Sequence, residues 1–174
     1  SPRALIAIPA MMTTRWDQTM PYNTDCPYDS SGSFRTAVGC TATAMAQIMK
    51  YWNYPAFGQD SHAYHHHRYG TISAAFDTTT YHWEYMPDYL DAYSRQFNIH
   101  AVSVLSYHCG VAVDMDYGQS SGAWVLATSS TNPCAHNAFV QYFKYSSDIL
   151  SVSRDNVSDS TWMALIDSDM PVVV

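Results

Sequence analysis

One stretch of the chain carries a helical hydrophobic period more clearly than any other. From Cys40 to Trp52 the apolar residues Met45, Ile48, Met49 and Trp52 fall at i, i+3, i+4 and i+7, with alanines between them. Alanine is the strongest helix former and lets neighbouring backbone come close, so the stretch predicts a helix packed into the core. Asn53-Tyr54-Pro55 closes it, because the residue before a proline is pushed out of the α region. Gly39 stands directly before it, which sets Cys40 in the first turn. At a helix start the unpaired N–H groups and the positive dipole end favour thiolate over thiol. The plainer alternative is a small core cysteine, a common fate of this residue in apolar surroundings.

Other periods are weaker. Within 88–113 the residues Ala101, Val104, Leu105, His108 and Cys109 repeat at helical spacing, and Gly110 reads as the stop. His108 and Cys109 are neighbours in sequence, but adjacent helical residues do not face each other. The pattern predicts a core cysteine and a surface histidine there, not a catalytic couple. Phe139, Tyr142 and Phe143 stand at i, i+3 and i+4, which puts His136 on a further helix. Residues 4–10 and 171–174 read as strands, 151–154 as a short strand, and 71–83 as short strands or irregular chain. Residues 158–167 read as a helix capped by Ser158, with Trp162, Leu165 and Ile166 inward.

Polar segments lie between these. Residues 24–37 show no period and read as loop. Residues 57–70 carry His62, His65, His66 and His67 and read as a surface strand. Consecutive extended residues point to opposite faces, so these four cannot all close on one metal ion. The Asp114 to Gly122 stretch is a Gly/Ser-rich turn that lacks the ligand order of a calcium loop.

At 174 residues the chain has the length of one domain, and 47% hydrophobic with 13% charged residues describes a globular protein. The net charge of −7 argues against a nucleic-acid surface. No apolar run approaches the roughly 20 residues of a membrane span, and no charged-then-apolar leader opens the chain. Cys26, Cys40, Cys109 and Cys134 lack the spacing of a metal site and are too few for a disulfide scaffold. They are expected to be reduced, and those other than Cys40 buried.

The segments Trp16-Asp17-Gln18, Pro21-Tyr22-Asn23, Gly39-Cys40-Thr41-Ala42-Thr43-Ala44, Asn53-Tyr54-Pro55, Tyr81-His82-Trp83, Tyr107-His108-Cys109-Gly110, Val113-Asp114-Met115-Asp116-Tyr117-Gly118 and Tyr142-Phe143-Lys144-Tyr145-Ser146 occur in this order. Together they resemble the streptopain family of secreted bacterial cysteine proteinases, most of all its interpain-type members from Bacteroidetes. The resemblance implies an α+β, papain-like fold, with a helical half around the Cys40 helix and an antiparallel β half. Residues 1–174 would form a single catalytic domain, incomplete at its C-terminal end. It implies that Cys40 is the nucleophile and that Gln18, with the Cys40 N–H, binds the oxyanion. Ser120, Ser121 and Gly122 would contact the substrate. Protein or peptide substrates, an N-terminal propeptide acting as inhibitor, secretion, and no cofactor or metal follow from the same likeness. The general-base histidine and the Gly/Trp-rich stretch that orients it are expected beyond Val174, so this segment alone is expected to be inactive. Two other readings compete: a non-catalytic remnant or binding module of the same fold, and a His-rich metal-binding protein.

Overall fold

The structure, a computed structural model, describes residues 12–127 and 129–149, together with 156, 158, 160, 161 and 164. The expected strands at 4–10, 151–154 and 171–174, and the inward Trp162, Leu165 and Ile166, lie outside the described residues.

The central helix α1 spans Cys40–Trp52. Ala42, Met45, Ala46 and Met49 have no exposed surface, and the two alanines let the second long helix approach. That helix, α2, spans Gln96–Ala112 and packs against α1. The Cys109 Sγ lies 3.7 Å from Met49 Sδ where they meet. Asn53 ends α1 in the left-handed conformation, and the N–H groups of Asn53 and Tyr54 reach back to the Lys50 and Met49 carbonyls. Trp52, expected on the buried face, is half exposed. It lies in the last turn, and its ring meets Tyr51 edge-on at 4.9 Å.

Two expectations for α2 need correction. The helix does not stop at Gly110 but runs on to Ala112. A Cβ at Gly110 would lie 2.1 Å from the Tyr117 hydroxyl, so this glycine serves close packing rather than termination. His108 is not on the surface but buried, because α2 is covered on several sides by α1 and by a β-hairpin. Its Nδ1 pairs with the Tyr81 hydroxyl at 2.9 Å, and Phe76 meets its ring edge-on.

The stretch 24–37 is not all loop. It holds a small antiparallel ladder, β1 (Tyr28–Asp29) with β2 (Phe34–Arg35). The buried Asp29 carboxylate builds it by accepting the Ser31 and Gly32 N–H groups at 2.9 and 3.2 Å. A side chain folding back on the chain leaves no hydrophobic period to read. The second ladder pairs β3 (Ser61–His66) with β4 (Gly70–Ala75), from Ser61↔Ala75 to His66↔Gly70. The short helix α3 spans Ala135–Gln141. Its N-cap is Cys134, whose sulfur accepts the Asn137 N–H at 3.5 Å. The core gathers Met45, Met49, Phe76, Val102, Leu105 and Phe143 between the helices and β4. Among the described residues, no helix is long and apolar enough to cross a membrane.

Candidate active site

Cys40 is the exposed head of a helix whose next three residues are buried. The chain enters α1 through Gly39 at φ +90° and ψ 138°, a conformation that residues with a Cβ avoid. A Cβ there would lie 2.6 Å from the Met115 thioether. The first helical bond runs from the Thr43 N–H to the Gly39 carbonyl at 3.0 Å.

Two loops grip this entry from opposite sides. On one, the Val38 N–H donates to the Gln18 carbonyl at 2.9 Å. The Gln18 loop is itself anchored by Trp16, whose indole N–H donates to the Pro87 carbonyl at 2.8 Å and whose backbone N–H donates to Gln47 Oε1 on α1. On the other, the Ala37 N–H donates to the Gly118 carbonyl at 2.9 Å, and the Ser121 hydroxyl donates to the Ala37 carbonyl at 2.7 Å. The Thr41 hydroxyl then donates to the Ala123 carbonyl at 3.0 Å. The Gln18 carbonyl and the 118–121 stretch are therefore both bonded to the 37–38 segment just before Gly39 and Cys40, through main-chain groups and the Ser121 hydroxyl. Ser121 is buried and spends its hydroxyl inside the protein, while Ser120 and Gly122 are exposed. An exposed thiol beside the backbone donors of a helix start suits attack on a carbonyl.

The other three cysteines are buried and none forms a disulfide. Burial pushes the Cys26 thiol up to about 12 and the Cys109 thiol further still. Burial also holds His108 down at about 4, so it stays neutral beside Tyr81. Other histidines are engaged elsewhere: His62 with Asp114, His66 and His67 with Asp116, His82 with Glu84 and His100 with Asp25.

His66, His67 and Asp116 bring three potential ligand atoms within 4.8 Å of one another. The hydrogen bonds do not suit a metal ion. His66 Nδ1 accepts the N–H groups of Arg68 and Tyr69 at 3.1 and 3.4 Å, so the ring proton of neutral His66 sits on Nε2, facing Asp116. A metal at Nε2 would drive that proton onto Nδ1, against two backbone N–H groups. Burial, and then the neighbouring His67, lower the His66 pKa, which keeps it a neutral donor to the carboxylate. A separate cleft of about 840 Å³, lined by Asp25, Asp29, Arg35, Arg68 and Tyr69 among others, has neither Cys40 nor Gln18 in its walls.

Sequence reasoning missed one group near the site. Residues 62, 64 and 66 of β3 all reach the segment 114–116, and the His-x-Tyr-x-His alternation was the available signal.

Comparison with known proteins follows the same lines. The model of the peptidase C10 family matches residues 16–173. Streptopain of Streptococcus pyogenes is 35% identical over 144 residues, which is 77% of this chain and 34% of streptopain. The thiol protease/hemagglutinin PrtT of Porphyromonas gingivalis is 25% identical over 158 residues, 89% of this chain and 17% of that protein. The structure of active interpain A cysteine protease from Prevotella intermedia superposes with a TM-score of 0.77 at 35% identity, covering 91% of this chain and 63% of that one. A prointerpain A fragment from the same organism gives 0.78 at 34% identity. The architecture is thus the papain-like α+β fold of interpain A, and this chain spans about a third of the length of streptopain.

Proposed function

The chain belongs to the peptidase C10 family, and from that we propose that it carries the nucleophile side of a cysteine endopeptidase site. The observation that bears most weight is the position of Cys40: an exposed thiol at the head of an otherwise buried helix, bracketed by the Gln18 loop and the 118–123 loop. On this reading the Cys40 thiolate attacks a peptide carbonyl carbon. A C–S bond forms and the carbonyl electron pair moves onto oxygen. The Cys40 N–H and the Gln18 side chain hold that oxyanion, a donor pair of which each member is typically worth about 10²–10³ in rate. Collapse expels the amine, which takes a proton from an imidazolium, and water then hydrolyses the thioester.

Because His62, His66, His67, His82, His100 and His108 are held by other groups, the imidazole is proposed to come from polypeptide outside these 174 residues. A free cysteine is only a few per cent thiolate near neutral pH, so that partner is needed. The substrate would be an extended polypeptide lying along the 120–122 edge, where Ser120 and Gly122 are exposed. Residues 1–174 are read as one catalytic domain. Secretion and an inhibitory propeptide are extended to this protein from its family.

The test is casein or fluorogenic-peptide turnover by the full-length protein and by the 174-residue segment. Turnover in the full-length protein should fall by about 10⁶ in Cys40→Ala, the scale of losing a nucleophile. The segment alone should not exceed that blank. Full activity in Cys40→Ala would sink the assignment. Turnover by the segment that disappears in His136→Ala would instead make His136 the base.

A further inference from the structure

Strand β3 turns residues 62, 64 and 66 to one face. Each meets one of three consecutive residues just past the end of α2. His62 Nε2 lies 2.5 Å from Asp114 Oδ1, the Tyr64 hydroxyl donates to the Met115 carbonyl at 2.7 Å, and His66 Nε2 donates to Asp116 Oδ1 at 3.1 Å. The rungs run in step, 62 with 114, 64 with 115 and 66 with 116. Both rings are also fixed from behind. His62 Nδ1 lies 3.1 Å from the Tyr142 hydroxyl near the end of α3, and His66 Nδ1 receives the Arg68 and Tyr69 N–H groups.

The segment they hold is the root of the loop beside Cys40. Asp114 sits at φ +50°, where the chain leaves α2 and an unsupported residue is strained. The Met115 thioether packs against Gly39. Asp116 pairs with Gly122, its N–H donating to the Gly122 carbonyl at 2.9 Å and its carbonyl accepting the Gly122 N–H at 3.3 Å. Fixing 114–116 therefore fixes both ends of the loop 116–122. That loop's inner edge is bonded to Ala37, three residues before Cys40.

We infer that His62, Tyr64 and His66 are positioning residues of the peptidase site, setting the seat of the 116–122 loop against the head of α1. The inference rests on the peptidase reading above, and none of the three touches the thiol. The groups facing the His62 ring are Asp114, Tyr142 and Tyr64. Those facing His66 are Asp116, His67, Arg68 and Tyr69, the last bonded through its hydroxyl to Asp29. A neutral His62 satisfies both partners, with Nε2–H donating to Asp114 and Nδ1 accepting from Tyr142. The ladder therefore works through hydrogen bonding and does not require a charged ring. A loop displaced by about 1 Å can cost up to about 10²-fold in rate, and that is the scale at stake.

The experiment uses the full-length protein with His62→Leu, His62→Gln and Tyr64→Phe, measuring kcat and KM on a fluorogenic peptide and backbone amide exchange by region. His62→Leu should speed exchange in 116–122 while leaving α2 protected, and should lower kcat/KM by about 10–100-fold. His62→Gln keeps an N–H donor for Asp114 and should recover most of that loss. Tyr64→Phe should give a smaller loss of the same kind, and it carries the test if His62→Leu does not fold. Unchanged exchange in 116–122 with unchanged kcat/KM would overturn the inference. So would a loss that His62→Gln does not recover, or one in which α2 loses protection equally. Absence of turnover in the unsubstituted protein would overturn the peptidase reading instead, and the exchange arm alone would then decide whether the ladder holds the loop.

Discussion

Cys40 at the head of α1 and Cys109 near the end of α2 belong to two helices packed on each other, yet one is open to solvent and the other has no exposed surface. In sequence the second region is the more suggestive, because His108 and Cys109 stand side by side before a glycine. The structure reverses that order. Burial holds His108 neutral and keeps the Cys109 thiol protonated, so neither can ionise for the other. Cys40 has no histidine beside it in sequence, but it has access, a helix start and two bracing loops. On the proposed reading Cys40 is made a nucleophile by its environment, and proximity along the chain says little about it.

The contrast is sharpest in thiol reactivity. In native full-length protein, iodoacetamide should label Cys40 at least about 10²-fold faster than Cys26, Cys109 or Cys134, as read by peptide mapping over time. Comparable labelling of Cys109 would erase the distinction between the two helices.

A second break-point is acid. The folded His108 pKa of about 4 lies below the unfolded value of about 6.5, so the unfolded chain binds the extra proton first. The stabilising contribution is full above about pH 6.5 and drains away as pH falls toward about 4, on the order of 3 kcal/mol in total. Urea unfolding at a series of pH values should show this slope in wild type and a flatter one in His108→Asn. An unchanged slope would mean that His108 is not the group being titrated.

The smallest effect concerns the glycines beside each cysteine. Gly39→Ala meets a left-handed backbone, and Gly110→Ala meets the Tyr117 hydroxyl. Each should cost about 1–3 kcal/mol, the first from strain and the second from overpacking. Thermal melts of the two variants check this, and a neutral Gly110→Ala would show that Tyr117 can move aside.

Much of α1 was legible in advance because its period, its alanines and its proline stop agree with one another. The ordered fragments from Trp16 to Ser146 carried the fold class. Four features were not legible, each for a physical reason. The burial of His108 depends on what covers α2, and a single helix's sequence does not say how many sides will be covered. The β1–β2 ladder rests on the Asp29 carboxylate, which leaves no apolar rhythm. The β3 ladder joins residues about fifty positions apart, and its partners on the 114–116 side include a main-chain carbonyl that any residue would supply. Gly110 was misread because a helix-stop glycine and a packing glycine look identical until the neighbour, Tyr117, is in place.

The bonds that brace the head of α1 have one more consequence. Val38 to Gln18, Ala37 to Gly118 and Asp116 to Gly122 are joined through amides and carbonyls, which stay the same whatever side chains those positions carry. The outward positions of the same loop are left open: Gln119 and Ser120 are exposed, and nothing stands within 4 Å of where a Gly122 side chain would begin. Frame and rim are thus separately inherited. If the proposed reading holds, natural drift or laboratory evolution can rewrite the rim, and with it the choice of peptide, while the scaffold around the Cys40 sulfur passes from variant to variant untouched.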